Sequence, residues 1–149
     1  MTETIAAREI RLTRVFDAPR EAVWKAWTEP DQLARWWGKR GWTARRSTVT
    51  MDVTPGGVFR LTSVSDDDGA EMSQEGVYRE VVEQERLVLE EPADGSWHSG
   101  AVTVVTFTDL GDGRTELDCH TTIHTTDEMR AVAEGGMASS LDRLAEQLR

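Results

Sequence analysis

The side chains in this sequence that could bind a metal or move a proton are few and widely spaced. Its three histidines are His98, His120 and His124. The last two lie four residues apart in a threonine-rich segment that has the pattern of a strand, so about 13 Å would separate their Cα atoms. That distance is too long for two imidazoles to share a metal ion comfortably, and no third ligand follows at a useful spacing. We therefore predict no metal site.

The sequence also lacks the usual signatures of nucleophilic and cofactor chemistry. The single cysteine, Cys119, is most simply a small buried apolar group, and it cannot form an internal disulfide or a zinc site of several cysteines. There is no G-x-S-x-G motif, and the glycines of "TPGG" and "GDG" have the pattern of turns and not of phosphate-binding loops. We expect no cofactor.

Three side chains remain as candidates for acid–base catalysis: Tyr78, Glu80 and His120. Strand alternation in "GVYREV" places Tyr78 and Glu80 on one face, whereas His120 points away from the face that holds Cys119. The favoured alternative for Glu80 is an ion pair with Arg60 on a solvated face. An enzyme that uses one of these groups should bury it in a cavity with a perturbed pKa.

Aromatic residues are concentrated in "WWGKRGW", residues 36–42, which holds three of the six tryptophans. Trp36 shares a predicted helix face with Leu33 and is expected in the core. Trp37 and Trp42 are expected at the entrance of a pocket, and packing alone is the alternative for both.

Charge and hydropathy exclude several classes of partner. The net charge is −10, from 27 acidic and 17 basic residues, which repels nucleic acids and anionic membranes. Basic residues beside an aromatic can bind single strands, but we interpret the group around Trp42 as solvated loop charge; it consists of Lys39, Arg40, Arg45 and Arg46. No apolar run is long enough to span or insert into a membrane or to form a signal peptide, so we expect a cytoplasmic protein.

The elements that must position these residues follow from periodicity. A strand is predicted over residues 8–16, and two short helices follow, with Asp17 and Thr28 as expected caps. From residue 45 to residue 123 the pattern gives about six antiparallel strands. Residues 127–148 form a long amphipathic helix in which Gly135 and Gly136 should permit close approach of the helix backbone to the sheet or to something between the two.

Five blocks occur in the order typical of a known superfamily: "FDAPREAVWKAWTEPDQLARWWG", "TPGGVFRL", "GVYREVVEQERLVL", "VTVVTFTDLGDGRTEL" and "SLDRLAEQL". The chain resembles the START-like (SRPBCC) helix-grip superfamily over residues 8–148. Within it, the chain resembles the branch named after the C-terminal domain of the activator of the heat-shock chaperone ATPase. Two positions depart from the pattern: Met137 stands where relatives often have Trp, and Thr121 stands where they often have His.

This resemblance implies one α+β domain, residues 1–149, in which a curved antiparallel sheet of six to seven strands wraps around the C-terminal helix. It implies an apolar cavity between sheet and helix that holds a hydrophobic or aromatic small molecule. Alternation and the grip geometry predict the lining as Trp37, Trp42, Phe59, Leu61, Tyr78, Phe107, Thr121, Met137 and Leu141. The alternatives are a cyclase- or dehydratase-like enzyme in the same cavity, a module that binds a chaperone or another protein, and a homodimer formed through the tryptophan segment.

Overall fold

The structure, a computed structural model, describes residues 4–93 and 100–149, so His98 lies outside the described residues. Within these ranges the chain forms three α-helices and eight β-strands. In chain order they are β1 (Ala6–Phe16), α1 (Arg20–Thr28), α2 (Pro30–Trp36), β2 (Trp42–Ala44), β3 (Thr50–Met51), β4 (Val58–Ser65), β5 (Glu71–Val82), β6 (Arg86–Glu91), β7 (Ala101–Gly111), β8 (Arg114–Thr125) and α3 (Asp127–Gln147).

The strands form one antiparallel sheet in the order β1-β8-β7-β6-β5-β4-β2, and β3 pairs with β4. β1 pairs with β8 along its whole length, from Ala6 opposite Thr125 to Phe16 opposite Thr115. α3 follows β8 directly and packs against β1, β8 and α2. The predicted helix-grip fold is confirmed: a curled sheet holds the long C-terminal helix, and two short helices follow the first strand.

Alternating residues of the central strands point to the inner face, toward α3. On β8 these residues are buried at every second position from Thr115 to Thr125, and on β7 both Val105 and Phe107 are at most 2% exposed. Leu87 on β6 pairs with Val105 and is also fully buried. Period-two burial of this kind identifies the inner face of the sheet as the main wall of the core.

A β-bulge in β5 corrects the predicted facing of Glu80. The register shifts between Tyr78, which lies opposite Leu89, and Glu80, which lies opposite Val88. Because one extra residue in a strand reverses the alternation beyond it, Tyr78 faces inward and Glu80 faces outward. The sequence pattern alone placed both on one face, and that expectation is wrong.

The first two helices do not begin at the predicted caps. α1 starts after Pro19 and α2 starts after Glu29, and neither N-cap residue accepts a side-chain hydrogen bond. The Thr28 hydroxyl instead donates to the carbonyl of Trp24, 2.8 Å away. Early prolines with a preset φ begin these helices in place of Asp17 and Thr28. α3, in contrast, is capped by the Thr126 hydroxyl, which accepts from the Met129 amide at 3.2 Å.

The two halves of α3 are packed differently. Its buried residues, Ser140, Leu141 and Leu144, all lie in the C-terminal half, residues 138–147. In the N-terminal half, residues 127–137, Val132 is 55% exposed. A Cβ atom at Gly135 or Gly136 would meet nothing within 4 Å. The predicted close approach to the sheet at these glycines is therefore wrong, because open space surrounds them.

Candidate functional site

Aromatic rings form a continuous series from α1 across the inner face to β5, which we call the aromatic series. Neighbouring ring centroids are 4.9 to 6.3 Å apart, and most pairs meet edge to face, the arrangement that the ring quadrupoles favour. In order, the series is Trp24, Phe107, Trp27, Trp36, Trp37, Phe59 and Tyr78. These rings belong to or pack against the same hydrophobic cluster as Leu141 and Leu144 in the C-terminal half of α3.

The adjacent tryptophans Trp36 and Trp37 have different environments. Trp36 is 1% exposed, and its indole N–H donates to the carbonyl of Ala26 at 2.9 Å. Trp37 is half-buried, and its indole N–H donates to Oε1 of Gln74 on β5, also at 2.9 Å. Trp36 thus belongs to the core, as predicted, whereas Trp37 links the segment after α2 to the inner face of the sheet.

Arg143 on α3 binds the backbone of the segment after α2. Its Nη1 donates to the carbonyl oxygens of Trp37, Gly38 and Trp42 at 3.2, 2.8 and 3.0 Å. Its Nη2 donates to the carbonyl of Arg35 at 3.2 Å. Burial lowers the pKa of Arg143, but a guanidinium remains charged in proteins. One side chain thus donates hydrogen bonds to four carbonyl oxygens, which lie at the end of α2 and in the segment from Trp37 to Trp42.

Two serines of α3 complete this attachment. The Gly38 amide donates to the Ser140 hydroxyl at 3.1 Å, and that hydroxyl lies 3.2 Å from the Trp36 carbonyl, to which it donates. The Arg40 amide donates to the Ser139 hydroxyl at 2.9 Å. Residues 36–42 are therefore held by side chains of α3 along their length, and we call them the fixed rim.

The basic residues around Trp42 are paired with carboxylates. The pairs are Arg40–Glu146, Arg45–Glu71 and Arg46–Asp31. The Lys39 ammonium lies 5.9 Å from the centroid of the Trp42 ring, within range of a cation–π contact. These positive charges are accordingly engaged within the protein.

Tyr78 is the one of the three acid–base candidates that lies on the inner face. It is 1% exposed, and its backbone pairs with Gly56 and Gly57. Burial raises the pKa of the phenol, with a smaller contribution from the negative charge of Asp52. The phenol is therefore neutral at physiological pH and able to donate a hydrogen bond.

The other two candidates lie on the outer face, and each contacts a side chain of a neighbouring strand. Glu80 pairs with Arg86 on β6 and not with Arg60, because the register of β4 and β5 places Arg60 opposite Glu75. His120 Nε2 lies 2.9 Å from a carboxylate oxygen of Glu9 on β1. Neither side chain reaches the space between sheet and helix.

Two threonine hydroxyls face each other on the inner face, on neighbouring strands. The Oγ1 atoms of Thr103 and Thr121 are 2.8 Å apart, and Thr121 Oγ1 is 4.0 Å from the sulfur of Met137 on α3. Met137 is half-buried against the core. This contact joins the N-terminal half of α3 to β8.

The predicted ligand-lining residues divide into two groups. Three of them keep part of their surface exposed: Trp37, Trp42 and Met137. The others are buried to 4% exposure or less: Phe59, Leu61, Tyr78, Phe107, Thr121 and Leu141. The ring contact of Trp42 in the structure is with Lys39, and Trp42 does not belong to the aromatic series.

Three further inner-face residues were missed by sequence reasoning: Gln74, Leu89 and Thr103. Each is half-buried and pairs with an inner-face residue of a neighbouring strand: Leu61, Tyr78 and Thr121 respectively. Extending the alternation two positions back from Gly76 and Val105 would have found Gln74 and Thr103. Extending the alternation two positions forward from Leu87 would have found Leu89.

The remaining possibilities for chemistry are limited among the described residues. Burial raises the pKa of the Cys119 thiol to about 12, so it is not a thiolate nucleophile at neutral pH. No group of three His, Cys, Asp or Glu side chains within residues 4–93 and 100–149 is arranged to hold a metal ion. None of the described helices is long and apolar enough to cross a membrane.

An open cleft of about 520 Å³ lies at the other end of the molecule, between the end of β1 and the end of α3. None of the predicted ligand residues contributes to it. Its lining consists of Val15, Phe16, Asp17, Ala145, Leu148 and Arg149.

The chain is similar in sequence and in fold to known proteins. The family described as "Activator of Hsp90 ATPase homolog 1-like protein" matches residues 17–149. Protein CV1439 from Chromobacterium violaceum is 26% identical, with a TM-score of 0.82 over 94% of this chain and 96% of that chain. The AHSA1 protein from Silicibacter pomeroyi is 22% identical, with a TM-score of 0.82 over 95% and 97%.

A third similar structure is the AHSA1-like protein from Aeromonas hydrophila, which is 23% identical, with a TM-score of 0.75 over 95% of this chain and 96% of that chain. No curated protein matches the sequence. At such identities the likeness to the Silicibacter and Aeromonas structures concerns the fold alone.

Proposed function

The chain belongs to the Activator of Hsp90 ATPase homolog 1-like family, and we propose that it binds a small hydrophobic or aromatic molecule. The binding site is the space between the inner face of the sheet and the N-terminal half of α3. Its entrance lies beside Trp37 and Met137.

The observation that carries this proposal is the uneven burial of the inner face. Where the C-terminal half of α3 and the aromatic series cover the sheet, Leu87, Val105 and Leu117 are fully buried. Beyond them, Leu89 and Thr103 point to the same side of the same strands but remain half-exposed. Exposed apolar surface on a concave wall is what a ligand would cover.

The chemistry of this wall supports a ligand of mixed character. The indole of Trp37 and the aliphatic side chains of Leu89 and Met137, which keep part of their surface exposed, would provide most of the contact area. The polar groups are few and held in place, such as the pair of threonine hydroxyls. Ligand pockets are typically apolar with a small number of fixed polar groups.

Binding is favoured over a cyclase- or dehydratase-like reaction. Glu80 and His120, the other two acid–base candidates, lie on the outer face, where Glu80 pairs with Arg86 and His120 contacts Glu9. Tyr78 remains on the inner face, but its raised pKa keeps the proton on the phenol. It would orient a ligand and would not abstract a proton from it.

Binding is also favoured over a module that docks on a chaperone, which should present a broad apolar patch. The large apolar side chains that are exposed among the described residues come from separate segments; they are Ile5, Val15, Met72, Leu110 and Val132.

We also propose that the protein acts in the cytoplasm, where a lone buried cysteine stays reduced. A homodimer through the fixed rim stays a prediction.

Isothermal titration calorimetry with decanoic acid, naringenin and 2-acetylnaphthalene tests the proposal, together with native mass spectrometry of gently purified protein. We expect saturable one-to-one binding of at least one compound, or a co-purifying small molecule. Met137→Trp should abolish binding, because an indole at this position fills the space beside Thr121.

The matched control is Val132→Trp, which places the same indole on an exposed side of α3 and should leave binding intact. The proposal is wrong if none of the three compounds binds and no mass adduct is present. Equal effects of the two tryptophan variants would also contradict it, because the site would then not lie between α3 and the sheet.

A further inference from the structure

Two hydrogen-bond donors on β5 face the proposed site, and we infer that they recognise two acceptor oxygens of the ligand. The donors are the amide nitrogen of Gln74 and the hydroxyl of Tyr78. The inference rests on the proposed function and adds to it the class of ligand: an elongated aromatic compound that carries a carbonyl or similar oxygen near each end.

The orientation of the Gln74 amide follows from its partner. The indole N–H of Trp37 can only donate, so the Gln74 atom 2.9 Å from it must be the oxygen. The NH2 group of the same amide is then turned away from Trp37, and no described residue accepts a hydrogen bond from it. Gln74 is half-buried on the inner face, so this donor is available within the site.

Trp37 cannot easily turn to release Gln74. Its carbonyl accepts from Arg143, and the next residue, Gly38, is bonded to both Arg143 and Ser140. The Trp37 ring also packs against Phe59, with ring centroids 5.3 Å apart. The fixed rim therefore holds the indole, and the indole in turn holds the Gln74 amide, which makes Gln74 a preorganised donor.

Tyr78 supplies the second donor. Its ring is buried against Phe59, with ring centroids 6.2 Å apart, and no described residue hydrogen-bonds to its hydroxyl. Its oxygen is not one of the fully buried polar atoms that lack a partner among the described residues, so the hydroxyl keeps accessible surface from which it can donate to a ligand oxygen. Tyr78 thus has the chemistry of a recognition group in addition to that of a packing group.

The spacing of the two donors sets the shape of the ligand. Four residues along a strand place the Cα atoms of Gln74 and Tyr78 about 13 Å apart. Gly76 lies between them on the same face without a side chain, and a Cβ there would approach the Glu90 carbonyl to 2.9 Å. We therefore assign the donors to two oxygens, one at each end of a flat ring system that spans the distance between them.

The test compares two ligands that share a naphthalene ring system, 2,6-diacetylnaphthalene and 2,6-diethylnaphthalene. Each is titrated into the protein, and binding is monitored by two-dimensional ¹H–¹⁵N NMR. We expect the diketone to bind more tightly by at least about tenfold, because two hydrogen bonds are each expected to contribute about fivefold. Saturation with the diketone should shift the side-chain amide resonances of Gln74, which the hydrocarbon should shift far less.

Two variants remove one donor each. Tyr78→Phe deletes only the hydroxyl, and Gln74→Glu keeps an oxygen for Trp37 while it removes the NH2 donor. Each variant should lower the affinity for the diketone by about fivefold relative to the affinity for the hydrocarbon. Glu75→Gln, an exchange of the same two residue types on the outer face of β5, is the control and should change neither affinity.

The outcomes separate this inference from the proposed function. Equal affinities of the two compounds, or a preference for the diketone that survives both Tyr78→Phe and Gln74→Glu, would overturn the inference and leave the binding function standing. Absence of saturable binding by both compounds and by the three compounds of the calorimetric panel would overturn the binding function and the inference together.

Discussion

The two halves of α3 belong to one continuous helix but make different contacts. The C-terminal half buries Leu141 and Leu144 and binds the fixed rim through Ser139, Ser140 and Arg143. The N-terminal half has exposed side chains, two consecutive glycines with free space around them, and a contact with the sheet through Met137. One half of the helix holds its buried residues, and the other half holds none.

This difference underlies our proposal that one sheet carries both a packed core and a binding site. The inner face is a single surface, yet its burial changes from complete to partial within two residues of the same strand, from Leu87 to Leu89. Trp37 lies at the boundary, with its backbone in the fixed rim and its indole on the inner face. Changes on the two sides of this boundary should therefore have different consequences.

The largest difference is expected between Leu144→Ala and Val132→Ala. Leu144 is 0% exposed, so its truncation creates a cavity and should lower the free energy of unfolding by about 2–5 kcal/mol. Val132 is 55% exposed, and its truncation should change stability by about 0.5 kcal/mol or less. Urea denaturation measures both values. Similar losses would show that the two halves of α3 are packed alike.

Two arginines of α3 give the next comparison. Arg143→Ala leaves four carbonyls without their donor and should cost about 2–3 kcal/mol. Arg130→Ala removes only pairs with Asp127 and Glu134 within the helix, at 3.6 and 3.4 Å, and should cost about 0.5 kcal/mol. The cost of Arg130→Ala should vanish in 1 M salt, and that of Arg143→Ala should persist. A loss for Arg143→Ala as small as that for Arg130→Ala would disprove attachment of the rim by this side chain.

Glycine substitutions should have opposite signs in the two regions. Gly136→Ala adds a methyl group in open space within a helix and should stabilise the fold by about 0.5–1 kcal/mol. Gly38→Ala in the fixed rim should destabilise it by about 1–2 kcal/mol, because Gly38 has a φ of +95°. The midpoints of thermal unfolding should move in opposite directions. Destabilisation by Gly136→Ala would mean that the space around this glycine is not open.

The smallest effect at neutral pH concerns Cys119, which lies under the closed part of the inner face. Its pKa rises from 9.0 to about 12 on burial, so the folded state retains a proton that the unfolded state loses between these values. Its contribution to stability is fully present below about pH 9 and is lost as the pH rises toward 12. The slope of unfolding free energy against pH above 9 should be shallower in Cys119→Ala. An unchanged slope would show that the thiol does not contribute.

Most of the fold could be predicted from the sequence because its elements have strong local periodicity. The long strand β1, the threonine-rich β8 and the C-terminal helix are each visible from alternation or helical spacing. The three-residue strand β2 precedes the predicted strand region, residues 45–123, and was missed because a segment this short carries no period. The caps of α1 and α2 were wrong because proline at the helix start replaced the expected side-chain bonds.

The candidate site was less predictable because it depends on contacts between distant residues. The bond from Trp37 to Gln74 joins residues 37 positions apart, and the bonds of Arg143 to the fixed rim span more than 100 positions. The bulge that turns Glu80 outward leaves no mark in "GVYREV" that distinguishes it from a regular strand. The glycine at residue 136 indicated a position without a side chain. The sequence did not indicate whether close packing or open space surrounds that position.

The most direct test of the proposed binding site is a two-dimensional ¹H–¹⁵N spectrum of the tryptophan indoles, recorded with and without saturating 2,6-diacetylnaphthalene. The Trp36 indole donates to Ala26 in the core, and the Trp37 indole donates to Gln74 at the boundary of the site. We predict a large shift of the Trp37 indole resonance and little change at Trp36. Saturable binding that shifts Trp36 and leaves Trp37 unchanged would contradict a ligand site beside the N-terminal half of α3.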